Sequence, residues 1–160
     1  MHMASIYEVV GRRVQKDNIR YFNELVDKSG YSEPLLSDLQ MLNIVKSVFC
    51  ELRGIDGDRL ISKKHDRDAS RNRQLCIAVC YKLYSPNSMN REIMQGLSKS
   101  LNVALCRLLN INPKKIGGKI KNSLFYYSHV PDFRKVVDEI CRNISDHVLL
   151  SEQPICQGRN

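Results

Sequence analysis

Nowhere in this 160-residue chain does an alternation of apolar and polar residues persist beyond four positions, and no Asn-Gly pair joins two apolar runs. The signal for a half-buried strand, a period of two, is therefore missing. Periods of three to four are plentiful instead. Ile19, Phe22, Leu25 and Val26 make one face of a helix expected over 17–28, with Gly30 as its stop. Ser37 as N-cap and Gly54 at C′ bracket a second helix, whose stripe is Leu39, Leu42, Val45, Val48, Phe49 and Leu52. A third is expected over 70–83 and a weaker one over 90–99. A short helix capped by Ser100 follows, then one from Pro113 to Tyr127 and a last over 132–144. The fold class is accordingly all-α, a multi-helix bundle. Its expected organisation is an N-terminal helical extension over 6–40, a main domain over 41–146 and a flexible tail over 147–160.

With 42% hydrophobic and 26% charged residues, the chain has the balance of a folded domain and not of a disordered one. The longest apolar run, Leu75 to Tyr81, is far short of the roughly 20 residues that cross a bilayer. The first 25 residues hold Glu8, Arg12, Arg13, Lys16 and Asp17 and no apolar core of a signal peptide, so a cytoplasmic location and no membrane partner are expected. Six cysteines sit among apolar neighbours and read as small core residues under reducing conditions. Cys76 and Cys80 share a helix face, but no second Cys/His pair at ligand spacing accompanies them. No metal and no cofactor are expected. Neither Glu51 nor the stretch from Asp132 to Glu139 shows a paired-carboxylate pattern, so no enzyme is expected either.

Charge carries more information. The formal net charge is +8, and no Asp or Glu occurs from Ile93 to Pro131, where Lys99, Arg107, Lys114, Lys115, Lys119 and Lys121 all fall. That distribution predicts a basic face and a polyanionic partner. Two stretches concentrate it. "GDRLISKKHDRDASRNRQLCIAVCYKL", 57 to 83, places Lys63, Lys64, His65, Arg67, Arg71 and Arg73 directly ahead of an apolar helix. "SLNVALCRLLNINPKKIGGKIKNSLFYY", 100 to 127, reads as two helices about a tight break, with Ile116, Ile120, Leu124 and Tyr127 turned inward and Lys114, Lys115, Lys119, Lys121 and Asn122 between them. A short helix, a tight turn and a second helix with a cationic outer face are what a helix-turn-helix requires. Gly117 and Gly118 interrupt the second helix. Close approach to DNA, close helix packing and an early helix end all stay open for them. Tyr126 and Tyr127 read as core and rim.

Residues 43–144 resemble the C-terminal DNA-binding domain of the bacterial replication initiator DnaA, within the Trp-repressor-like superfamily. The likeness is carried by Leu60, Ser62, Lys63, the basic loop, Arg71, Arg73, Gln74 and the apolar run after them, by Ser100-Leu101 at the start of the helix-turn-helix, and by the closing "VPDFRKVVDEI". Residues 85–98 stand as an insertion against that pattern. Ile111, Asn112, Pro113, Lys114 and Lys115 replace the family's base-reading string, and His65 stands where it carries a minor-groove arginine. There is no phosphate-cradling ATPase loop, because Gly117-Gly118-Lys119 lacks the first glycine and the Ser/Thr.

The resemblance implies double-stranded DNA as partner. Arg73, Gln74 and Arg71 would clamp phosphate at a helix start with free backbone amides, and Lys63, Lys64, His65 and Arg67 would follow the backbone or minor groove. Ser100, Lys114, Lys115, Lys119 and Asn122 would face the major groove. The expected function is a bacterial or phage regulator or replication accessory, with a further protein partner possible through the extension. The alternative from another class is a protein-interaction adaptor that keeps the fold and has lost base reading. A ligand-gated repressor is a third reading.

Overall fold

The computed structural model describes residues 32–63, 66–89 and 96–151, and among these it contains six α-helices and no strand. The helix expected over 17–28, Lys64 and His65, the stretch 90–95 and Cys156 lie outside the described residues. The helices are α1 (Leu42–Arg53), α2 (Gly57–Ile61), α3 (Arg67–Tyr84), α4 (Lys99–Leu109), α5 (Pro113–His129) and α6 (Pro131–Ser151).

Helix α3 is the axis of the bundle and packs against each of the other five. Every residue from Leu75 to Tyr81 is buried, which an amphipathic helix cannot do. The sudden change of character in the sequence therefore marks where α3 leaves its solvated first turns and is enclosed on all sides. Small residues among the seven, Cys76, Ala78 and Cys80, let neighbours come close. Burial pushes the Cys141 thiol up to about 12, and its Sγ points at the Val79 carbonyl across the α3–α6 contact. The Cys80 thiol is raised well above its usual range by the hydrogen bond with Cys76 and by burial, so these are packed thiols and not reactive ones.

Helix α1 buries Leu42, Val45, Phe49 and Cys50 and ends at Gly54, whose φ of 61° is the left-handed conformation that a helix stop requires. Its start differs from expectation. Asp38 and not Ser37 caps the chain, accepting the Gln40 N–H at 2.9 Å, and a 3-10 turn over Leu39–Met41 precedes the helix. Leu52, assigned to the buried stripe, is instead 45% exposed.

Residues 32–40 belong to the body and not to a separate extension. Leu36 is buried, its N–H donates to the Leu83 carbonyl at 3.1 Å, and the Asn87 amide pairs with both backbone groups of Ser32.

Helix α4 begins one residue before the expected cap. Ser98, not Ser100, accepts the Leu101 N–H at 3.3 Å, and residues 96–98 are not helical as the expected 90–99 helix required. Leu101, Leu105 and Leu109 are buried along its inner face. It ends at Asn110, left-handed at φ 51°, and Ile111 tucks back with its N–H on the Cys106 carbonyl at 3.0 Å.

The corner between α5 and α6 is a single residue. Val130 is extended, as the position before a proline prefers, and Pro131 opens the next helix. Arg134 secures the corner by donating to the Tyr127 and Ser128 carbonyls at 2.9 and 2.6 Å. Helix α6 continues through 147–151, where a flexible tail was expected, because Val148 extends the buried row of Phe133, Val137, Cys141 and Ile144 by another turn. Between α3, α5 and α6 a half-buried cluster joins Lys82, Tyr127 and Asp138, with the Tyr127 hydroxyl donating to the carboxylate at 2.8 Å and the Lys82 ammonium bound to both.

Candidate nucleic-acid interface

Helices α4 and α5 are joined by the three residues Asn110, Ile111 and Asn112 and pack against one another. Asn112 caps α5 by accepting the Lys114 N–H at 2.9 Å, and Pro113 fits the first helical position, where no amide is needed. Ile116, Ile120 and Ser123 face the core. Lys114, Lys115, Gly118, Lys121 and Asn122 are exposed on the opposite side, one above another at spacings of three and four. Lys119 differs from expectation by being half-buried at the edge of that face. Ile111 is buried, so it packs the turn and reads nothing.

The described ion pairs are Arg59–Asp66 and Lys82–Asp138, and neither involves a lysine of α5. Two cations therefore stand in the first turn of a helix, where the backbone already contributes partial positive charge, with no acid beside them among the described residues. That arrangement is unfavourable for a helix by itself and favourable for an anion placed against it.

The loop ahead of α3 is built otherwise. Lys63 and Arg67 are exposed, as a backbone-tracking role would need, and so is Arg71, expected to help clamp phosphate. Arg73, expected to clamp phosphate, instead donates from Nη1 to the carbonyls of Leu60 and Ser62, at 3.3 and 2.6 Å, fastening the loop to the helix. Gln74 is half-buried beside it. The free amides expected at this helix start are also taken up. Asp66 caps α3 and accepts the Asp68 N–H at 2.9 Å, and Asp68 adds a second acid to the first turn. Arg59 binds the Asp66 carboxylate at 2.8 Å and holds it below the usual carboxylate range. The signal missed in the sequence was Asp66 itself, a capping residue standing immediately before the helix.

Helix α2 links the two regions, packing on both α3 and α4, so the loop that leaves it at Ser62 belongs to an element adjoining the α4–α5 pair. Ser100 lies exposed near the start of α4, its Oγ 3.2 Å from that of Ser98.

A second feature of α5 was not legible as a surface. Phe125 and Tyr126 are exposed at its far end; Phe125 stacks on His129 at 4.1 Å between ring centres, and Tyr126 lies 5.7 Å from Phe133. Tyr127 is held in the Lys82–Asp138 cluster.

Among the described residues no three His, Cys, Asp or Glu side chains converge as a metal site, and no helix is long and apolar enough to cross a membrane. Compared with protein-family models, curated proteins and solved structures, the chain matches none of them.

Proposed function

We propose that this chain binds double-stranded DNA through α4, the turn and α5 used as a helix-turn-helix, and acts as a regulator or replication accessory without a motor of its own. Helix α5 enters the major groove by its first turns, and Lys63, Arg67 and Arg71 follow the adjacent backbone. One observation carries this reading: Lys114, Lys115, Lys121 and Asn122 stand exposed on one face, the lysines without an acidic partner among the described residues, while the other face of α5 is locked into the core. The likeness of the loop and of α4 to the DnaA domain supports it.

Fluorescence polarisation of the chain with mixed-sequence duplexes at rising salt tests the proposal. Binding that weakens linearly in the logarithm of salt is expected, with a slope of about −0.9 for each phosphate neutralised. Lys114→Glu/Lys115→Glu is expected to lower affinity by about 100-fold and to flatten that slope by about two. Absence of binding at low salt, or a slope of zero, rejects it. The adaptor reading is favoured by the exposed aromatic pair Phe125 and Tyr126, and it becomes the better account if the charge reversal leaves DNA affinity unchanged.

A further inference from the structure

Gly117 and Gly118 lie in the second turn of α5, where each lowers helix stability relative to alanine. Neither is demanded by the fold. The helix runs unbroken through both to His129, so they do not end it. Neither has a positive φ. A Cβ built on either would meet nothing within 4 Å, so among the described residues no neighbouring helix needs the space. An early stop, and close packing against any described helix, are thereby removed for both.

Gly118 is the exposed one of the pair. It stands four residues after Lys114, three after Lys115, three before Lys121 and four before Asn122, which makes it the bare centre of a ring of four polar side chains. We propose that Gly118 is the point where the α5 backbone touches DNA: the uncovered helix wall lies against the nucleic acid while the surrounding side chains reach past it to phosphates and base edges. Glycine serves this use because it alone leaves no side chain between a helix and what it approaches. The proposal rests on the DNA-binding reading of α5 and adds the residue that sets how deeply the helix sits. The surrounding charge selects the occupant. Two copies of this face would bring Lys114, Lys115 and Lys121 against themselves, and like charges across an interface repel, whereas a polyanion is drawn to all three.

Alanine at each glycine tests it, with duplex affinity, thermal unfolding and sedimentation measured on the full chain. Gly118→Ala is expected to raise Tm by about 3 °C and to lower duplex affinity about tenfold. Gly117→Ala, at the half-buried neighbour, is expected to give the same thermal gain with affinity within about twofold. Equal affinity losses in both variants would mean that stiffening the helix matters and contact does not, which overturns the proposal. An unchanged affinity for Gly118→Ala overturns it too, while leaving DNA binding intact. Failure of the native chain to bind any duplex removes the underlying reading and this one with it. A native dimer that Gly118→Ala splits into monomers would assign the bare wall to a second copy, and would equally overturn it.

Discussion

At the start of α3 an aspartate accepts the amide two residues on; at the start of α5 an asparagine does the same, with the same 2.9 Å geometry. Both helix starts are followed by cations, Arg67 and Arg71 in one and Lys114 and Lys115 in the other. Their electrostatics nevertheless differ. The α3 cap is charged and paired with Arg59, Asp68 adds a second carboxylate, and Arg73 is consumed by two carbonyls. The α5 cap is neutral, its first turn holds no acid, and its lysines have no acidic partner among the described residues. Counted along the chain, the loop is the denser cationic stretch. Among the described residues, the first turn of α5 adds side-chain charge to the positive end of the helix dipole, whereas at the start of α3 Asp66 and Asp68 offset it. A basic run thus says where cations are, and only the acids and carbonyls folded against it say whether they are free for a ligand.

The comparison breaks first at Arg73. If its work is to fasten the loop, Arg73→Ala costs stability on the order of 1–2 kcal/mol in denaturant unfolding, since two carbonyl contacts lose their donor. Arg71→Ala, at an exposed position, is expected to stay within about 0.5 kcal/mol while lowering the salt slope of DNA binding by about one. Equal stability losses would return Arg73 to the ranks of ligand-facing residues.

Much of this architecture was readable from the sequence, for physical reasons that also explain the failures. Gly54 and Pro113 announced their helix ends through backbone conformation, which those residues alone dictate. Helix α2 carries a single buried side chain, Leu60, over its five residues, too few for a period to show. Ser98 and Ser100 are chemically identical caps two positions apart, and the choice depended on which places Leu101 inward. The last turn of α6 was assigned to the tail, yet Val148 prolongs a buried row begun fifteen residues earlier at Phe133. At the interface, the lysines of α5 were legible because nothing nearby in sequence opposes them. The Arg59–Asp66 pair at the α3 cap was not, because these residues, seven apart, meet only after α2 and α3 have folded.

A second break concerns Asp66. Asparagine in its place keeps the capping oxygen and removes the charge, which releases Arg59. Asp66→Asn is expected to raise duplex affinity about fivefold and to steepen the salt slope by about one, making the α3 end more like the α5 end. The acid limb of stability should change with it. Because the folded Asp66 carboxyl sits below its ordinary 3.8, its contribution is present above that pH and is lost as pH falls through the lowered value. The asparagine variant lacks that component, so its unfolding should be less steep in pH below about 3.8.

The smallest effect probes α5 from the side of the fold. Lys114 and Lys115 sit at the positive end of the helix dipole with no carboxylate among the described residues to offset them, so removing their charge should relieve repulsion rather than forfeit a contact. Lys114→Gln/Lys115→Gln is therefore expected to stabilise the unliganded chain by about 0.3 kcal/mol or more per site at low ionic strength. The gain should fade toward 1 M salt, where the screening length shrinks to about 3 Å. Duplex affinity should move the opposite way in the same protein. A charge that weakens the fold and strengthens binding is there for the ligand; if the double glutamine variant is instead less stable, the lysines serve α5 itself and the contrast with α3 dissolves.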